Sequence, residues 1–178
     1  MAPAETGILT ALGSLDFQLG RYEQAGQAFL MAAAIRPDLA GIHTQLAAVW
    51  LHLNNQQAFD LAIRAALQMN PDDLSALRLL AKGQMAAGDY YAAARSYHRV
   101  LSLDYRDMDS LMLLGKCFYH LREWSIARLV YERALHLDPE NRNAADNLVL
   151  VCRLERLQAG TDTGGEDDPD AEVIVLTA

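Results

Sequence analysis

The sequence predicts an all-α chain, a right-handed superhelical solenoid of four helix–turn–helix repeats closed by a C-terminal capping helix. Three observations carry this. Prolines at 37, 71 and 139 are spaced by one interval of 34 residues and then by two such intervals. Each proline closes a similar phrase: Ile35-Arg36-Pro37-Asp38, Met69-Asn70-Pro71-Asp72 and Leu137-Asp138-Pro139-Glu140, with Leu103-Asp104-Tyr105-Arg106 as a degenerate copy. Between the phrases, apolar residues recur three and four apart, the spacing of one helix face. A fixed period of roughly 20–50 residues marks stacked repeats, because one helical pair cannot bury its apolar face alone.

Setting the proline at position 32 of each unit gives repeats 6–39, 40–73, 74–107 and 108–141. In the first helix of a repeat, residues such as Leu111, Leu114 and Phe118 form a buried stripe. Small residues at Gly13, Ala47, Ala81 and Gly115 let the second helix come close. A helical glycine costs about 1 kcal/mol relative to alanine, so packing must offset it at Gly13 and Gly115. Gly20-Arg21, Asn54-Asn55 and Gly88-Asp89 mark the turns, since Gly and Asn adopt the left-handed geometry that ends helices. The second helix returns Ala25, Phe29 and Ala32, or their equivalents, and the proline then starts the next unit, where its missing N–H is harmless.

Repeat two departs from this pattern. His43 takes the first large apolar position, and Phe59 stands where a small residue is expected. Either the helix is shifted by one residue or the local crossing is wider; a helical pair is expected in both cases.

Residues 142–157 read as the capping helix, with Ala145, Leu148, Cys152 and Leu157 covering the last repeat while Arg142, Asp146, Arg153 and Arg156 face water. The ordered solenoid thus spans 1–158. Residues 159–178 read as an acidic, disordered tail or a linker to a following domain. The segment Val173–Leu176 has the composition of a buried strand, which fits either the start of such a domain or an apolar run in a loose tail.

The repeat positions carry a resemblance. Repeat one reads Leu9, Leu12, Gly13, Gly20, Tyr22, Ala25, Phe29, Ala32 and Pro37. Repeat three reads Leu77, Leu80, Ala81, Gly88, Tyr90, Ala93, Tyr97 and Val100. Repeat four reads Leu111, Leu114, Gly115, Phe118, Trp124, Ala127, Tyr131, Ala134 and Pro139. Over about residues 6–157 the chain resembles the tetratricopeptide repeat family, whose period is 34.

Composition bounds the function. The chain has 178 residues, 52% of them apolar, which is ample for a core. The net charge of −8 is uneven: residues 159–178 hold six acids and no Lys or Arg, leaving 17 acids against 15 bases elsewhere. A nearly neutral body with an acidic tail lacks the basic field that releases phosphate counterions, so nucleic acid is not expected as a partner. The arginines of the second helices (Arg64, Arg95, Arg99, Arg128 and Arg133) read as a solvated outer face. No membrane span and no secretory leader are read. Cys117 and Cys152 fall on helices as reduced thiols, which points to the cytoplasm. The five histidines show no metal-ligand spacing, and no phosphate loop, nucleophile elbow or Cys-x-x-Cys pair occurs, so neither a cofactor nor catalysis is expected.

What the resemblance implies is a concave groove lined by positions 2, 5, 9, 12 and 13 of the first helices. Position 12 gives Phe17, Leu51, Met85 and Tyr119. Position 5 gives Thr10, Thr44, Arg78 and Met112; position 9 gives Ser14, Ala48, Lys82 and Lys116. Position 13 includes His52 and His120. The first half is then small and neutral, the second apolar with a cationic cluster of Arg78, Lys82, Lys116 and His120, which Arg153 extends. An acidic peptide with apolar anchors against Met85, Met112 and Tyr119 fits such a surface. Thr10 and Ser14 replace the Lys and Asn with which some relatives clamp a C-terminal carboxylate. The Glu166–Glu172 segment has the charge to occupy the groove itself. The implied role is a non-catalytic scaffold for protein or peptide partners. Alternatives are a chaperone of an exported protein and the N-terminal interaction arm of a larger enzyme such as a glycosyltransferase. Apolar residues on the end helix leave a homo-oligomer open.

Overall fold

The computed structural model describes residues 2–39 and 41–160. Among these residues every regular element is an α-helix: α1 (Ala2–Gln18), α2 (Tyr22–Ile35), α3 (Ile42–His52), α4 (Gln56–Met69), α5 (Leu74–Ala86), α6 (Tyr90–Leu103), α7 (Met108–His120), α8 (Trp124–Leu137) and α9 (Arg142–Gln158). Each helix packs on the next in sequence, so the chain is an α-solenoid. The expected tail, with its Glu166–Glu172 and Val173–Leu176 segments, lies outside the described residues apart from Ala159 and Gly160.

The turn inside each repeat is built the same way four times. Gly20, Asn54, Gly88 and Arg122 all have positive φ, from 53° to 79°. The N–H that follows each reaches five residues back, from Arg21 to Asp16 O, Asn55 to Trp50 O, Asp89 to Gln84 O and Glu123 to Phe118 O. This closure satisfies carbonyls that the helix end would leave open. Arg122 holds the conformation without the residue type that favours it.

The links between repeats are capped from the other side. Asp73 accepts from the N–H groups of Ser75 and Ala76, Asp107 from Ser110, and Asn141 from Ala144. Asn55 and Asp89 cap α4 and α6 in the same way. Arg99 and Arg133 then donate back to the Pro71 and Tyr105 carbonyls of the preceding link. Arg128 is held between Glu132 and Glu155. Three of the second-helix arginines therefore fasten one repeat to the next, whereas Arg64 and Arg95 are exposed.

The core lies between the helix rows. Phe29, Tyr97 and Tyr131 are buried against the small position of their own repeat or its neighbours, and a Cβ added at Gly13 or Gly115 would fall 2.6 or 2.5 Å from the Phe29 or Tyr131 ring. Repeat two is solved differently. Its helix α4 starts in register with α2, α6 and α8, which removes the one-residue shift as an explanation. Phe59 is buried and its ring enters the space beside Gly83 of the next repeat, while α4 meets α5 over a smaller patch than its counterparts do. The wider crossing is the alternative that matches.

The capping helix corrects one expectation. Ala144 and Val151 are its buried residues, Leu148 packs beside them, and Leu157 is 52% exposed. The covering face is turned by one residue because α9 packs on α8 as the first helix of a further repeat would.

Candidate functional site

The expected groove residues lie on successive first helices, each anchored in the core behind it. Phe17, Leu51, Met85 and Tyr119 are all half-buried. Phe17 meets Tyr22 and His52 edge-on, each at 5.3 Å between ring centroids. Tyr119 meets Trp124 at 5.3 Å and His120 at 5.6 Å. Met85 and Met112 pack against the cluster around Tyr97 and Leu111. The stripe is therefore partly spent on holding neighbouring helices, and what it presents outward is the remainder of each side chain.

The first half of this face is neutral for a structural reason. The Thr10 hydroxyl donates to Thr6 O and that of Ser14 to Thr10 O, at 2.9 Å, so both are turned back on α1. Thr44 Oγ1 donates to Asp73 Oδ2 at 2.9 Å. Between α1 and α3 a cleft of about 160 Å³ is lined by Ser14, Phe17, Gln18, Phe29, Gln45 and Ala48. Gln45 Oε1 is buried there with no hydrogen-bond partner among the described residues.

The second half holds fewer free charges than expected. Arg78 Nε donates to Asp107 Oδ2 at 2.6 Å, and the Asp107 side chain is only 8% exposed. Burial pushes the Asp107 carboxyl up, but hydrogen bonds from Ser110 and Arg78 outweigh it and hold it below the ordinary carboxylate value. Arg78 is thus a neutralised strut between repeats three and four. His120 stacks on Tyr90 at 4.3 Å and 11°, and burial, with the nearby Lys116 charge, lowers its pKa below the usual 6.5. It is uncharged at neutral pH and leaves the cationic cluster. Lys82 is exposed and Lys116 half-buried, and among the described residues neither is in an ion pair. The expected four cations reduce to these two. Arg153, exposed on α9, stands at the position of Phe17 and Tyr119 and continues the row.

Three features escaped the sequence reading. Asp73 and Asp107 each cap a helix and hold a groove side chain with the other oxygen; their common place at the end of repeats two and three was the available signal. Gln45 gave none. His52 and His120 share a second pattern, each stacked on the tyrosine 30 residues before it, His52 on Tyr22 at 4.4 Å and 6°. Among the described residues no group of three or more His, Cys, Asp or Glu could hold a metal ion, and no helix is long and apolar enough to cross a membrane.

Residues 79–142 match the family described as Tetratricopeptide repeat. The chain belongs to the tetratricopeptide repeat family. Solved structures share its fold: MamA has a TM-score of 0.77 at 16% identity, covering 88% of this chain and 86% of that one. YrrB, described as a TPR protein with an unusual peptide-binding site, has a TM-score of 0.71 at 13% identity, covering 87% and 78%. Among curated proteins, human Protein O-mannosyl-transferase TMTC1 is 28% identical over 188 residues, covering 84% of this chain and 21% of that protein. The chain therefore spans about a fifth of that relative's length. Tetratricopeptide repeats are protein–protein interaction modules, and the right-handed array of helical pairs found here is their fold.

Proposed function

We propose that this chain is a non-catalytic scaffold that grips an acidic peptide bearing apolar anchors along the first-helix face. The observation that carries it is the pairing of free charge with half-buried apolar surface on α5 and α7. Lys82 and Met85 are three apart; Met112, Lys116 and Tyr119 are four and three apart, so each set shares one side of its helix. Two lysines without intramolecular partners beside adaptable methionines supply orientation and contact together. The cleft at Phe17 and Gln45 gives a second anchor socket, with a carbonyl oxygen open to a donor. Leu51 lies between the two ends. The peptide-binding description of YrrB supports the same use of this fold. Two unpaired cysteines suit a reducing, cytoplasmic setting.

The test is binding of fluorescein-labelled peptides of mixed Asp, Glu, Leu and Phe, measured by anisotropy at low and high salt. The double variant Lys82→Glu/Lys116→Glu is expected to weaken binding about tenfold or more at low salt, with less difference at high salt. Equal affinities for both proteins would remove the face from consideration. Arg78 is unsuitable for this purpose because its loss also unpairs Asp107.

A second reading is favoured by the similarity to the mannosyl-transferase: the array as the partner-binding arm of a longer enzyme. Sequencing the native gene on both sides of these residues tests it, with a contiguous catalytic domain as the expected result.

A further inference from the structure

We propose that the outer face of α1 is a homodimer interface, on which the α1 helices of two copies pack antiparallel about a two-fold axis. Ile8, Leu12, Leu15 and Leu19 are 69%, 48%, 53% and 54% exposed. Their equivalents in the later repeats are where each repeat receives its predecessor. Ile8 corresponds to Ile42, Ala76, Ser110 and Ala144, all buried. Leu12 corresponds to the buried Leu46 and Leu114, and Leu15 to Val49, Cys117 and Val151. Met31, 58% exposed on α2, stands where Arg99 and Arg133 reach back to the preceding link. The same interface that joins the repeats thus continues, apolar and open, at this end.

A second copy suits the opening. Spacings of four, three and four put the four residues on one heptad seam, the pattern of paired helices. The seam is also palindromic: in an antiparallel pair, Ile8 of one copy faces Leu19 of its partner, and Leu12 faces Leu15. A two-fold interface requires this self-complementarity. No charge interrupts the seam, because the acids of α1 are Glu5, near its start, and Asp16, which is buried and paired with Arg21. The described body is close to neutral, so two copies meet without strong repulsion.

The test uses the 178-residue chain in sedimentation equilibrium from about 1 to 100 µM, a range that brackets a moderate self-affinity. The wild type is expected to be a dimer. Leu12→Glu/Leu15→Glu should weaken the dimer at least about 30-fold, as loss of central anchors does, and circular dichroism should show unchanged helix content. Ile8→Lys/Leu19→Lys should act alike, while Val149→Glu at the opposite end should leave the dimer intact. A wild type monomeric at 100 µM would overturn the proposal; a helix from another protein or a longer chain would then be the occupant. A dimer that survives both α1 double variants, or that Val149→Glu breaks, overturns it equally.

Discussion

The Phe59 ring sits in the space that a side chain on Gly83 would need: a Cβ built there lies 2.4 Å from Phe59 Cε1 and 2.5 Å from Cζ. In repeats one, three and four the corresponding position of the second helix is alanine (Ala25, Ala93 and Ala127), and the facing residue on the next helix is Val49, Cys117 or Val151. Bulk has changed sides in repeat two. Gly83→Ala, which would gain about 1 kcal/mol in an exposed helix, is expected here to destabilise by about 1–3 kcal/mol through overpacking. Phe59→Ala should cost about 3–5 kcal/mol alone. In that background Gly83→Ala should become neutral or favourable, since the added methyl enters the cavity. Urea midpoints of the four proteins decide this; additive costs would show that the two residues do not share the space.

Arg122 should prefer to be glycine. Its φ of 59° is the left-handed conformation that costs an L-residue about 1 kcal/mol or more. Gly20 and Gly88 occupy the same point of the fold. Arg122→Gly is expected to raise the thermal midpoint, by up to about 1 kcal/mol after the extra chain entropy of glycine is subtracted. A lowered midpoint would mean that the arginine side chain contributes more than its backbone costs.

The Asp107 carboxylate ties stability to acid. Its folded pKa is depressed, so its contribution is complete above the unfolded value of about 4 and is lost as pH falls through the folded value. Asp107→Asn keeps a helix-capping oxygen but loses the charge that faces Arg78. The variant should be about 1–3 kcal/mol less stable at pH 7, and the gap should narrow on titration from pH 4 towards pH 2. Urea unfolding at several pH values would expose the error if the gap stays constant.

The two thiols should differ in reactivity. Burial pushes the Cys117 thiol up to about 12, and its side chain is sealed among Tyr97, Leu111 and Leu114. Cys152 is half-buried on α9. With a disulfide reagent at pH 8, one fast equivalent is expected from the native protein and a second only on unfolding. Retention of the fast phase in Cys152→Ala would contradict the assignment.

The sequence by itself determined the repeat length, the helix boundaries and the row of first-helix positions, because each is written in local, periodic signals. A proline after each second helix, glycine or asparagine in the turn, and apolar spacing of three and four act within a few residues. What only the tertiary structure decided involves pairs far apart in the chain. Arg78 loses its free charge to Asp107, 29 residues on. His120 loses its charge against Tyr90. Phe59 finds room at Gly83, and Arg122 takes a glycine's conformation because the same closure recurs in all four repeats. The sequence shows which charges and volumes exist, but their availability depends on which neighbour the superhelix brings into contact.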